Sequence, residues 1–252
     1  MTTPHNWFIS KDMAPKIENV SDTALWVATF RAKESERPDA LFRDPLAGVL
    51  AGERGREIAA HMSYGGIMGW VMTIRTVAID RLIQEALSRG VDTVINLGTG
   101  LDTRPYRMPL PSTLRWIEVD FPPIITLKNE RLEKEVPRCK LERIPLDLSN
   151  RKTRTDLFER LSSESGKALV ITEGVLPYLD ESDVESLAKD LLSQPTFEFW
   201  IQDFYNGSHR VPRRWRKGLA SAPFKFKVPD WFAFFELLGW LPESTIFTAE
   251  EG

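Results

Sequence analysis

Gly98 and Gly100 form a G-x-G directly after the apolar run TVINL (93–97). An acid, Asp120, closes the next apolar run, LRWIEV (114–119), about 20 residues later. Glycines at the end of a buried strand let the backbone turn sharply and approach a ligand closely. An acid at the end of the following strand is placed to accept hydrogen bonds from both hydroxyls of a ribose. Glu118 points to the same face but lies deeper. A dinucleotide site would also need a third glycine and a clean helix N-terminus for its pyrophosphate. Here Thr103 or Arg104 stands at that place, and Pro105 follows. The pattern supports ribose and argues against pyrophosphate, so it points to a nucleoside ligand without phosphates.

Two more acids close apolar runs. In IPLDLSN, Asp147 and Leu148 follow the run CKLERIP (139–145). An acid and an apolar residue suit an adenine ring, the acid accepting from the amino group; Asp147 reads equally as the cap of a helix from Ser149. In VITEGVLPYL, Glu173 follows the run ALVIT (168–172). It could hold the ammonium group of a bound amino acid, or cap a helix.

Such residues need a sheet to carry them. The runs at 93–97, 114–119, 139–145, 168–172 and 197–204 are apolar with little alternation, as strands buried on both faces are. Helical segments separate them at about 123–134, 151–161 and 182–192. Strand–helix alternation over more than 100 residues predicts a Rossmann-like α/β fold with a mostly parallel, doubly wound sheet. Upstream, TALWVATFRAKES (23–35) is helical in pattern, Pro38 and Pro45 break the next stretch, and a long helix at about 67–88 stops before Gly90. Residues 1–90 are expected to form a helical lid over a core at 91–252. The basic region 207–229, interrupted by Pro212 and Pro223, adds a lid insertion. After WFAFFELLGW, only LPESTIFTAEEG remains, enough for at most one further strand and a start. On such a fold, S-adenosyl-L-methionine (SAM) is the commonest nucleoside cofactor without phosphates.

The bulk numbers narrow the class. The chain has 252 residues, 42% hydrophobic and 27% charged, which is an ordinary globular balance. A formal net charge of -3 gives no general attraction to nucleic acid or anionic membrane. The longest uncharged run, between Glu57 and Arg75, holds His61, Ser63 and Tyr64 and falls short of the roughly 20 apolar residues of a membrane helix. MTTPHNWFIS lacks a signal-peptide pattern. Cys139 is the single cysteine, read as a small residue at a strand start, and no Cys/His cluster has metal-ligand spacing. A soluble, cytoplasmic, metal-free protein is expected.

The stretches NLGTGLDTRPYRM, WIEVDFPPIITLKNERL, IPLDLSN and ITEGVLPYL, in this order, resemble the leucine carboxyl methyltransferase family, in particular its bacterial polyketide-type O-methyltransferase branch. VSDTALWVATFRAKESERPDALFRDPLAGVLAG and IRTVAIDRLI resemble that branch too. The similarity runs over roughly 22–240 and implies a class I SAM-dependent methyltransferase with a helical lid. It implies that Arg75 pairs with the methionine carboxylate and that Gly98 lies under the methionine part, with Gly100 a further cofactor-binding candidate of the same G-x-G turn. Asp120 would hold the ribose, Asp147 and Leu148 the adenine, and Glu173 would stand at the end of the fourth strand. Asp102 and Arg104 belong to a DTR signature expected to shape the turn and lid. The resemblance departs at the end, where this fold normally closes with an antiparallel hairpin.

Methyl transfer is an in-line displacement that depends on holding the acceptor oxygen close to the methyl carbon. A carboxylate acceptor, with a pKa of about 4, is ionised at neutral pH and needs no general base. A hydroxyl or phenol acceptor would use one. None of His5, His61 and His209 stands at a strand end, which favours transfer to the carboxylate of a small organic acid, giving a methyl ester. The alternatives are O-methylation of a hydroxyl in an aromatic or polyketide-like metabolite, and a non-catalytic SAM-binding protein. Tyr178, Tyr205, His209 and Arg104 are candidates for positioning the acceptor, and Arg31 and Arg43 for steering an acid. Aromatic residues in the lid candidates, Trp7, Phe8, Tyr64, Trp70 and Phe204 among them, suit an acceptor with apolar or aromatic parts. The oligomeric state is left open.

Overall fold

TVINL is buried along its whole length in the computed structural model, which describes residues 17, 20–61, 65–204 and 221–247. It is strand β1 (Thr93–Leu97) of a five-stranded sheet with β2 (Arg115–Asp120), β3 (Lys140–Pro145), β4 (Ala168–Thr172) and β5 (Phe197–Gln202). Helices α1 (Val20–Glu36), α2 (Ala47–His61) and α3 (Gly65–Ser88) precede the sheet. Between strands come α4 (Arg104–Arg107), α5 (Pro122–Arg131), α6 (Arg151–Glu164), a 3-10 turn (Leu176–Tyr178) and α7 (Glu181–Leu192), with α8 (Trp231–Leu237) after β5.

The strand order is β3-β2-β1-β4-β5, and every neighbouring pair is parallel. From β1 the chain winds outward through β2 and β3, then crosses back to β4 and β5. The order therefore reverses between β1 and β4, and the carboxyl ends of these two strands open a crevice, the usual ligand position in such sheets.

Successive side chains point to opposite faces, so each apolar strand feeds two cores. Ile95, Leu97, Ile117, Val119, Ala168 and Val170 join Phe158 of α6, Leu187 of α7 and Phe235 of α8 on one face. Val94, Trp116, Leu169 and Ile171 meet Ile79, Ile83 and Ala86 of α3 on the other. The first half of α3 packs instead with the N-terminal helices, where Met68 and Met72 meet Trp26 and Phe30 of α1, Ile58 of α2 and Ala222. Trp26 and Phe30 meet edge to face at 5.2 Å. Arg31 of α1 ties this layer to the sheet, donating to the Leu101 carbonyl and to Asp44.

The element boundaries differ from the sequence expectation in informative ways. β5 ends at Gln202 rather than Phe204 because its partner β4 ends at Thr172, opposite Gln202. α6 starts at Arg151 with Asn150 as its cap, so Asp147 does not cap it and instead accepts from the Ser149 amide at 2.9 Å. Among the described residues no strand follows α8; Glu243 there reaches Arg89, in the turn after α3, at 2.7 Å. No described helix is long and apolar enough to cross a membrane, and no described group of His, Cys, Asp or Glu could hold a metal ion.

Candidate functional site

The turn after β1 puts Gly98 at φ +63° and Gly100 at φ +49°, both left-handed. A Cβ on Gly98 would stand 2.5 Å from Val175 Cγ2, so the backbone there is pressed against the turn after β4. Asp120 closes the turn from the side. Its Oδ2 accepts from the Gly100 amide at 2.6 Å and its Oδ1 from the Phe121 amide at 2.7 Å. Each carboxylate oxygen retains a second lone pair for a ligand hydroxyl. Burial pushes the Asp120 carboxyl up, against the two amide bonds that favour its charged form.

The end of the turn is not an open helix N-terminus. α4 has four residues, and its first amide, of Arg104, is taken by Asp102 Oδ1 at 2.9 Å. Asp102 Oδ2 also accepts from Asn96 of β1 at 2.8 Å. Arg104 is 2% exposed and bonds Asp102, Asp80 and Glu173 at 2.9, 2.7 and 2.8 Å. Arg107 adds a second guanidinium on Asp80. The DTR stretch is thus the centre of a charge ladder that ties α3, the β1 turn and the β4 turn together.

The ladder continues across the crevice. Glu173 Oε1 meets Arg75 Nη2 of α3 at 3.0 Å, and Arg75 Nη1 meets Asp203 Oδ2 at 2.9 Å. Asp203 Oδ1 accepts from the Gly174 amide at 2.7 Å. Burial alone would raise the Glu173 carboxyl, but Arg104 and Arg75 outweigh it and hold it down to about 2. For Asp203 burial prevails over Arg75 and the Gly174 amide, and its carboxyl is pushed up.

These groups line one cleft of about 1750 Å³. Pockets for a single small ligand are usually about 300–1,000 Å³, so this one has room for two. Leu146, Asp147 and Leu148 line one part; Trp26, Met72, Tyr178, Phe204, Trp231 and Phe232 line another. Asp147 is exposed and Leu148 half-buried, as an edge acceptor and an apolar contact for a flat ring would be. The donor set fits an adenosyl group carrying an amino acid: a close-approach turn, a ribose-height acid, an edge acid, and an arginine and a glutamate at the third corner.

Arg75, Gly98, Gly100, Arg104, Asp120, Asp147, Leu148, Glu173 and Tyr178 therefore meet in one cleft although they come from α3, α4, the ends of four strands or the turns after them, and the 3-10 turn. Tyr205, His209, His5, Trp7, Phe8, Tyr64 and most of the 207–229 insertion lie outside the described residues. His61 is exposed at the end of α2, its Nδ1 2.8 Å from the Glu57 carbonyl. The Arg75 side chain is 13% exposed and doubly ion-paired. Arg43 bonds the Ser35 and Pro38 carbonyls, and Arg31 donates to Asp44. Burial, with Glu118 nearby, pushes the Cys139 thiol up to about 11, which leaves it inert as a nucleophile. Sequence reasoning missed Asp80 and Asp203. Asp203 carried the same signal as Asp120 and Glu173, an acid directly after an apolar strand.

A family model described as leucine carboxyl methyltransferase matches residues 24–192. A Streptomyces coelicolor protein named as a candidate S-adenosyl-L-methionine-dependent methyltransferase is 36% identical over 181 residues, 66% of this chain and 62% of that protein. A Streptomyces avermitilis protein named in the same way is 34% identical over 181 residues, 68% of this chain and 64% of its own length. The chain thus spans less than two thirds of the length of these two relatives. A crystal structure of a duf574 family protein from Streptomyces avermitilis aligns with a TM-score of 0.53 at 14% identity, covering 80% of this chain and 78% of that one, a likeness of fold.

Proposed function

The chain belongs to the leucine carboxyl methyltransferase family, and on that premise we propose that it is a SAM-dependent O-methyltransferase that converts a small organic acid to its methyl ester. The observation that carries this reading is the turn at Gly98 and Gly100, closed by Asp120, with the first amide of α4 already taken by Asp102. It offers a ribose acceptor and no seat for a pyrophosphate.

In this reading Asp120 accepts the ribose hydroxyls, and Asp147 accepts from the adenine amino group with Leu148 against the ring. Arg75 takes the methionine carboxylate and Glu173, ionised far below neutral pH, faces the ammonium. The bound cofactor supplies a methyl group on a sulfonium, ready for displacement. Arg104, 2% exposed and bound to three carboxylates, shapes the site rather than touching the acceptor. Tyr178 stands at the aromatic end of the cleft, beside Phe224 at 5.3 Å, and burial raises its hydroxyl, so it would orient an acceptor as a neutral donor. An acceptor carboxylate arrives ionised, so the protein needs only to position it and shed water from it. The apolar and aromatic wall suits an acid with an apolar or aromatic body, met in the cytoplasm.

Titration of SAM into wild type and Asp120→Ala tests the reading. Wild type should bind, and the variant should bind at least about tenfold more weakly, the loss of one or two charge-assisted hydrogen bonds. No binding to wild type overturns the function; equal binding to the variant overturns the ribose assignment.

A further inference from the structure

Arg75 and Glu173 are given opposite ends of an amino acid in the proposed function, yet here they bind each other. Each also has a partner of its own. Arg75 holds Asp203 at 2.9 Å and Glu173 holds Arg104 at 2.8 Å. The Arg75, Glu173 and Asp203 side chains are 13%, 14% and 11% exposed, so water screens none of them well. Parting Arg75 from Glu173 in such a place would strand two charges, were each end not still compensated. Arg104, locked by Asp80 and Asp102, compensates Glu173. Asp203 does the same for Arg75, and it is itself fixed, because its other oxygen is tied to the Gly174 amide at 2.7 Å.

We propose that Asp203 is a positioning residue for the amino-acid end of the cofactor, acting through Arg75. It keeps the guanidinium compensated and oriented once Glu173 releases it, so that Arg75 can take a carboxylate. The inference rests on the proposed function. It also gives the fold a reason to bring three elements to one point: Arg75 comes from α3, Glu173 from the end of β4 and Asp203 from the end of β5. Asp203 needs no contact with the cofactor for this role. Its effect is confined to ligands that carry a carboxylate for Arg75.

That restriction provides the test. SAM and its decarboxylated analogue are titrated into wild type and Asp203→Asn, and into each in an Arg75→Ala background. Asp203→Asn should bind SAM about tenfold more weakly, the size of one charge-assisted hydrogen bond. It should bind the decarboxylated analogue within about twofold of wild type, and should cause no further loss of SAM affinity once Arg75 is alanine. Equal losses for both ligands, tighter SAM binding by Asp203→Asn, or a loss that persists without Arg75 would each overturn the role. If Asp203→Asn does not fold, Asp203→Ser, which can still accept from the Gly174 amide, is judged by the same criteria. Wild type that binds neither ligand overturns the proposed function itself. Wild type that binds SAM while the variant treats both ligands alike overturns only the assignment of Asp203.

Discussion

A methyl group at position 98 would have to share space with Val175 Cγ2, on a backbone at φ +63°. The Cβ of an alanine at position 100, at φ +49°, would lie 3.4 Å from Ala24 Cβ, an ordinary contact. Gly98→Ala should therefore destabilise by about 2–4 kcal/mol, from clash and strain together, and Gly100→Ala by about 1 kcal/mol from the backbone alone. Urea unfolding of the two variants checks the order. Glu173 makes a prediction in pH. Its folded pKa, about 2, lies below the ordinary 4.5, so its ion pairs add stability that is complete above about pH 4.5 and lost as pH falls towards 2. Glu173→Gln should be less stable than wild type at pH 7, and the gap should close across that window in a series of melts. At this scale the acids at strand ends were legible because type and position alone announce them. Their arginine partners were not, because a guanidinium reaches its carboxylate across the fold.

At the scale of elements, β2 and α5 are joined by an ion pair with no exposure on either side: Lys128 Nζ lies 2.8 Å from Glu118 Oε1. Arg143 of β3 takes the other Glu118 oxygen at 2.8 Å, and Lys128 Nζ lies 3.4 Å from Thr99 Oγ1 in the glycine turn. Burial lowers the Lys128 pKa, against the pull of Glu118 and Asp102. The pair is a prop beneath the turn: without Lys128, Glu118 keeps only Arg143, and without Glu118, Lys128 loses its ion-pair partner. Lys128→Met should cost about 2–3 kcal/mol, less than a fully stranded buried charge because Arg143 stays on Glu118, and Lys128→Met with Glu118→Gln should recover part of it. A double-mutant cycle in urea measures this. A cost for the double variant equal to the sum of the singles would show that the pair is not coupled. The strand pattern alone places the glutamate deep on the ribose face. That its partner is a lysine one helix later became visible only when α5 lay on the sheet.

For the molecule as a whole, the cleft is too large for one nucleoside, and its second part is lined by rings and methionines from α1, α3 and the α8 region. An acceptor with an apolar body should fill that part. With labelled SAM, the proposed function predicts transfer to at least one acid in a panel of small aromatic and aliphatic carboxylic acids. The label should return as methanol in mild base, because esters hydrolyse and ethers do not. Label on a phenol that survives base would move the function to the hydroxyl reading.

The sequence by itself determined the order and kind of the elements and where acids stand along them. TVINL and ALVIT announce buried parallel strands because a strand covered on both faces must be apolar at every position, a property of the segment alone. Thr103, Arg104 and Pro105 argued against a pyrophosphate for the same local reason. Only the tertiary structure decided that Arg75 of α3 stands between the ends of β4 and β5, that Arg104 turns inward to three carboxylates, and that Asp203 completes the ladder. Charge pairing acts over a few ångströms in space, and strand order, not spacing along the chain, sets which charges come that close.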